Sequence, residues 1–285
     1  MANNTYDQIM TDRGGYARVR IGDKWGAINA QGDEIIPVKY DEMFPICCER
    51  ANVRIGNYWG YVNTKGEELT PFKYDYASNF YEGFADVRID GKWGIVNIDC
   101  QEITPIQYSD IGDFSEGVVA VQIGSKRGFV TDTGEELTPV IYEEVEFFEE
   151  GKAAVKKDGK WGFINRKGEQ IIPFLYDNAS YFTEGLALVK KGTKYGYIND
   201  KNEIVIPFIY DDGKLFNNDK AWVQIGDKQF EINRLGEKFD PNLEQALLTD
   251  HDESKDDDVV TEVLLKGYML KDRVIRPASV KVNNL

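Results

Sequence analysis

Residues 185–218 read GLALVKKGTKYGYINDKNEIVIPFIYDDGKLFNN, and this pattern recurs along the chain. Alternation across the first segment sends Leu186, Leu188 and Lys190 to one face and Ala187 and Val189 to the other, as in a strand. Gly192-Thr193 is a turn. Residues 195–199 form a second strand, and Asp200-Lys201-Asn202 is a hairpin turn where sister copies carry Lys-Gly or Thr-Gly. Residues 203–206 form a third strand, closed by Pro207, which cannot donate to a ladder. Tyr210-Asp211 then opens a looser stretch ending at Phe216, whose spacing allows a short helical turn.

Outward from this unit the register holds at a period of 34. Trp25-Gly26, Trp59-Gly60, Trp93-Gly94 and Trp161-Gly162 share one column, in which Arg127-Gly128, Tyr195-Gly196 and Gln229-Phe230 are the departures. Proline recurs at Pro37, Pro71, Pro105, Pro139, Pro173, Pro207 and Pro241, so seven of the nine prolines occupy one column and chance is no explanation. Tyr6, Tyr40, Tyr74, Tyr108, Tyr142, Tyr176 and Tyr210 form another column, as do Asn29, Asn63, Asn97, Asn165, Asn199 and Asn233, with Thr131 in the gap. No window has a sustained 3.6-residue apolar period, so no long helix is expected.

These columns resemble the WG (KWG) repeat family of bacterial proteins. The resemblance rests on Asp158-Gly159-Lys160-Trp161-Gly162-Phe163-Ile164-Asn165 and on the Gly-Glu-x-Ile-x-Pro-x-x-Tyr-Asp and Phe-x-Glu-Gly-x-Ala-x-Val segments, and it covers roughly residues 6–241. It implies a β-rich tandem array and supplies no catalytic residues.

The expected fold is therefore all-β: seven tandem 34-residue three-stranded antiparallel units over residues 1–241, in an open twisted array. A closed seven-bladed propeller is the alternative, but its blades usually hold four strands in about 40–50 residues. Residues 242–258 read as an acidic linker and 259–285 as a C-terminal cap, which the end of an open array needs.

Stacking of like units assigns Trp25, Trp59, Trp93, Trp161 and Tyr195 to the interior as structural positions. A lysine column (Lys24, Lys92, Lys126, Lys160, Lys194, Lys228) stands nine residues before an acidic one (Asp33, Glu67, Glu135, Glu169, Glu203, Glu237), and the two are expected to pair across a hairpin on the solvent face. Four aromatics break their own columns: Tyr58, Tyr76, Tyr81 and Trp222. Packing of repeats does not demand them, so they are the candidate partner-binding residues.

The 285 residues carry 34 Lys plus Arg against 49 Asp plus Glu, a net charge of −15. That balance argues against nucleic acid and against an anionic membrane surface, and favours a basic protein partner. A single histidine, His251, leaves little for metal or acid–base chemistry, so neither a metal nor a cofactor is expected. Three cysteines do not make a secreted disulfide framework, and the polar opening MANNTYDQIM lacks a leader pattern. The expectation is a cytoplasmic protein. Cys47 and Cys48 read as at most a weakly reactive surface thiol. The acidic run Asp250–Asp258 places Lys255 where a calcium loop needs Gly, so it reads as linker. Phosphate-loop, dinucleotide and nucleophile-elbow motifs are absent. The expected function is a non-catalytic protein-binding scaffold, with toxin or effector neutralisation as one form. The alternative is a module that binds glycan or cell-wall fragments through exposed aromatics.

Overall fold

The computed structural model describes residues 6–12 and 14–233, together with five short strands beyond them. Every regular element among the described residues is a β-strand. Seven antiparallel meanders follow one another in chain order, four with four strands and three with three. The chain divides into two compact units, Met1–Ile141 and Tyr142–Leu285.

The meander of residues 144–176 shows the plan. Its strands, Glu144–Val145, Lys152–Lys157, Lys160–Asn165 and Gln170–Tyr176, lie side by side in sequence order. The central hairpin turns on Asp158-Gly159, both at positive φ, between the opposed residues Lys157 and Lys160. Two residues of that conformation match the right-handed twist of the flanking strands. The next turn is organised by Asn165. Its Oδ1 accepts from the backbone N–H of Lys167 at 2.9 Å and of Glu169 at 3.0 Å, while its Nδ2 donates to Glu169 at 2.8 Å. The asparagine column is thus a column of side-chain-closed turns, and Thr131 does the same work by accepting from Glu135 N–H.

The proline and glycine columns are one feature. Phe163 opposes Ile172 but Trp161 opposes Tyr176, so the strand carrying Pro173 bulges where it passes Gly162. A Cβ on Gly162 would lie 2.7 Å from the Ile172 carbonyl oxygen, closer than real contacts allow. Gly26, Gly128 and Gly196 face the same backbone within 2.6–2.7 Å. Where threonine precedes the proline, its buried hydroxyl accepts a ladder N–H instead: Thr70 from Tyr61, Thr104 from Ile95 and Thr138 from Phe129. Around Pro71 and Pro105 the fourth strand is reduced to isolated bridges.

The stretch from Tyr-Asp to the repeated Phe is not a helical turn. It is an extended strand at the edge of the next sheet, as in Asp110–Ser115 and Asn178–Thr183, with a bulge in each. The bulge lets the Phe turn inward. Within Met1–Ile141, Phe80 packs on Tyr61 at 4.9 Å; within Tyr142–Leu285, Phe182 packs on Phe163 at 4.9 Å and Phe216 on Tyr197 at 5.0 Å. Each pair joins two consecutive sheets, and burying such a side chain contributes about 1.5–3 kcal/mol. The tyrosine column is buried from Tyr40 to Tyr210, while Tyr6 at its head is half-buried. Trp59 and Trp161 are buried, while Trp25, Trp93 and Tyr195 are half-buried.

The outer face of each ring in that column is covered by the residue directly across the hairpin. Arg20 lies over Trp25, Arg54 over Trp59, Arg88 over Trp93, Lys156 over Trp161 and Lys190 over Tyr195, at 5.0–6.0 Å from the ring centroid. Where the aromatic is lost the cation is lost with it. Arg127 donates to Gln122 and Gln229 donates to Gln224, each at 3.1 Å.

Three lysines of the column, Lys24, Lys160 and Lys194, do not pair with the acid nine residues on. Lys24 bonds Asp41 at 2.5 Å, and Lys160 bonds Asp177 and Lys194 bonds Asp211 in the same way, 17 residues ahead, where the chain passes from one sheet to the next. The same aspartates accept the turn N–H of Gly56, Gly192 and Gly226. Lysine, Asp41 and the turn amide thus close one rung, and Lys24 followed by the Gly56 N–H holds the Asp41 carboxyl below its ordinary range. Of the acids expected as partners, Asp33, Glu67, Glu169 and Glu203 accept from the side chains of the asparagine turns instead.

Beyond residue 233, Ser279–Asn283 pairs parallel with Leu248–Asp250 and antiparallel with Val260–Leu265, and Tyr268–Leu270 pairs with Arg273–Arg276. The expected linker over 242–258 and the expected capping by 259–285 otherwise lie outside the described residues.

Candidate functional site

All four aromatics singled out from the sequence are on the surface: Tyr58 is 51% exposed, Tyr76 37%, Tyr81 73% and Trp222 54%. They occupy different positions of the repeat rather than one cluster. Tyr58 opens the strand Tyr58–Asn63 and stands opposite Ile55, itself exposed, beside the turn at residues 56–57. Tyr81 precedes the turn formed by Glu82 and Gly83, at the start of the hairpin.

Tyr76 is brought onto the repeat's own tryptophan. Its ring meets Trp93 edge-on at 5.5 Å, and the Arg88 guanidinium lies 5.8 Å from the Tyr76 ring and 5.3 Å from that of Trp93. Arg88 also donates to Asp75 at 2.6 Å. Burial pushes the Asp75 carboxyl up, but Arg88 and the turn amide of Gly91 outweigh it and leave the group below its ordinary range. The result is a half-exposed tyrosine–arginine–tryptophan assembly with a fixed cation.

Trp222 lies in the last meander, directly opposite Glu231. It lines a shallow hollow of about 40 Å³ with Asp212, Lys214, Gln224 and Gln229. An indole face with polar groups beside it offers stacking and hydrogen bonding together.

Two exposed features escaped the sequence reading. Phe147 packs on Tyr181 at 4.4 Å while remaining 43% exposed. The other is a column whose chemistry changes along the chain. Lys39 bonds Glu68 at 2.7 Å and Lys73 bonds Glu102 at 2.6 Å, each joining consecutive repeats. At the corresponding positions of the second compact unit stand Leu175 and Ile204, both exposed. Reading that column for polarity rather than for invariance would have found the change.

Among the described residues no group of three or more His, Cys, Asp or Glu side chains is placed to hold a metal ion, and no helix is long and apolar enough to cross a membrane.

The profile of the WG containing repeat matches seven consecutive segments, residues 5–25, 25–59, 59–93, 93–126, 128–161, 161–195 and 195–228. The chain belongs to the WG containing repeat family. The segments meet near the Trp-Gly column, so a WG repeat in this protein runs from one central hairpin to the next. A second profile, GrpE, matches residues 228–284, where the WG repeats end. Among curated proteins the chain is similar to Protein GrpE of Bacillus pumilus, 58% identical over 52 residues, which are 18% of this chain and 28% of that protein. It is similar also to Protein GrpE of Oceanobacillus iheyensis, 62% identical over 48 residues, 17% of this chain and 25% of that one. The chain thus spans about a quarter of the length of the curated relatives it matches. Among solved structures, Kluyveromyces lactis Hsv2 aligns with a TM-score of 0.36 and 11% identity over 65% of this chain and 71% of that one.

Proposed function

We propose that this WG-repeat protein is a non-catalytic binding scaffold whose outward side chains engage a basic protein partner, a toxin or effector among the candidates. The reading is supported by one contrast above all. The Tyr, Phe and Trp-Gly columns are kept because each repeat is packed against the next, while the outward positions vary freely and include large exposed aromatics. A repeat array with a uniform interior and a varied exterior is suited to recognition over an extended surface. The charge of −15 favours a basic partner and steers its approach.

The test is capture by the full chain at low and high salt, with Tyr76→Ala, Tyr81→Ala and Trp222→Ala in parallel. A purified basic protein retained at low salt, released at high salt and weakened by at least one of these variants supports the reading. Retention that ignores both salt and the aromatics overturns it.

The hollow beside Trp222 favours a second reading, a module for glycan or cell-wall fragments. Titration of such fragments would change tryptophan fluorescence in the wild type and leave Trp222→Ala silent; no change in the wild type removes it.

A further inference from the structure

At the start of the central hairpin in each of the seven meanders the chain makes a tight turn whose two corner residues are at positive φ. In four successive repeats the first corner is an acid, Glu82, Glu116, Glu150 or Glu184. These acids have a role in the stack: Glu150 accepts the backbone N–H of Gly185 at 3.0 Å and Glu184 that of Asp219 at 2.9 Å, in the next turn along. In the repeat before them the first corner is Cys48, at φ 54°, and the residue just outside the turn is Cys47. Cys47 and Arg50 close this turn by exchanging backbone hydrogen bonds of 2.8 and 3.0 Å, so the two cysteines are held by the same geometry as their sister residues.

The sulfurs are 3.5 Å apart. That is far beyond the 2.03–2.05 Å of a disulfide, which would also need the adjacent Cβ atoms drawn together. It suits two sulfurs sharing one central atom: two bonds of about 2.3 Å at an angle near 100° span about 3.5 Å. Cys48 is exposed and Cys47 half-buried, its thiol directed at the Phe80 carbonyl oxygen 3.3 Å away. Arg50 donates to the Cys48 carbonyl at 2.9 Å and is itself paired with Asp99 at 3.7 Å, and burial, then the neighbouring Cys48, pushes the Cys47 thiol up. No third ligand accompanies them among the described residues. An ion that requires four protein donors is therefore not satisfied here, whereas a centre complete with two thiolates is.

We propose that Cys47 and Cys48 form a dithiol site for a thiophilic centre that takes two sulfur ligands, of which a monosubstituted trivalent arsenical is the chemical type. The step is a condensation without electron transfer. Each thiol gives up its proton, two As–S bonds replace the As=O bond, and one water leaves with arsenic still trivalent. Capture costs Cys47 its hydrogen bond to Phe80 and leaves the ladder of the hairpin untouched.

The test uses the full chain, phenylarsine oxide and intact-mass spectrometry. One adduct per chain is expected, with two of the three thiols lost to titration. A large excess of a monothiol should leave it in place and a 1,2-dithiol should remove it. Cys48→Glu installs the residue of the sister turns and keeps the fold; it should abolish the monothiol-resistant adduct, whereas Cys100→Ser, at a buried thiol that meets Arg50 and not the pair, should retain it. An adduct that survives in Cys48→Glu overturns the proposal, as does a wild-type adduct that the monothiol strips.

Discussion

The side-chain amide of Asn52 donates to the backbone carbonyl oxygen of Ala77 at 2.7 Å, and so ties one sheet to the edge strand of the next. One repeat earlier Arg18 makes the same link, donating to the Met43 carbonyl at 3.0 Å, again 25 residues ahead. The position is therefore a donor position in the first two junctions. One repeat later it holds Asp86, and from there onward Ala120, Ala154, Leu188 and Trp222. A carboxylate has no proton to donate.

Asp86 accordingly makes this junction sensitive to pH. Burial, then the facing carboxylates of Asp113 and Asp110, pushes its carboxyl up to about 6, against an ordinary value near 3.9 in the unfolded chain. A folded value above the unfolded one means that the ionised form is disfavoured in the fold. The associated stability is fully present below about 3.9 and is lost as pH rises through about 6. Asp86→Asn restores a permanent donor like that of Asn52. Thermal melts should show the variant gaining about 1–3 kcal/mol over wild type at pH 8 and little at pH 4; an equal effect at both values contradicts the assignment.

Gly162 marks the close passage of the Pro173 bulge. Gly162→Ala places a methyl group against the Ile172 carbonyl, and the backbone of two strands must move to admit it. The expected cost is about 1–3 kcal/mol in urea unfolding. At Gly60 the obstacles are the Phe72 ring and the Thr70 hydroxyl at 3.2 Å, side-chain atoms that can shift. Gly60→Ala should therefore cost less, and the order of the two midpoints checks the claim.

The paired loss of ring and cation at Arg127 and Gln122 predicts coupling. Arg127→Trp alone gives an indole without its cover, and Gln122→Arg alone sets two guanidinium groups side by side. The double substitution recreates the arrangement of Trp59 with Arg54. A double-mutant cycle on unfolding free energy should give a favourable interaction of about 0.5–1 kcal/mol. Strict additivity would show that the coincidence carries no energy.

Leu175 and Ile204 stand where earlier repeats carry the Lys39–Glu68 ion pair. Leu175→Lys combined with Ile204→Glu should leave stability within about 1 kcal/mol, since an exposed pair contributes little. It should lower the binding of a hydrophobic dye and reduce self-association at high concentration. Dye binding equal to that of wild type would show that this stripe is not an accessible apolar surface.

The period of 34, the strand–turn grammar of residues 185–218 and the burial of the Tyr column from Tyr40 to Tyr210 were determined by the sequence alone. Each is a local or periodic signal: glycine and asparagine set the turns, and a column repeated in every unit has to serve the contact between units. The exposure of Tyr58, Tyr76, Tyr81 and Trp222 was legible for the same reason inverted, because these residues depart from what packing requires. Only the tertiary structure decided which charges meet. Lys24 and Lys160 reach Asp41 and Asp177, where the chain passes into the following sheet, and not the acid across their own hairpin, which the Asn turn takes. It likewise decided that Tyr76 shares Arg88 with Trp93, that Asp86 inherits a donor's place, and that the sulfurs of Cys47 and Cys48 lie 3.5 Å apart. Contacts of this kind depend on bulges, register and the stacking of one sheet on the next, quantities that no single strand's sequence contains.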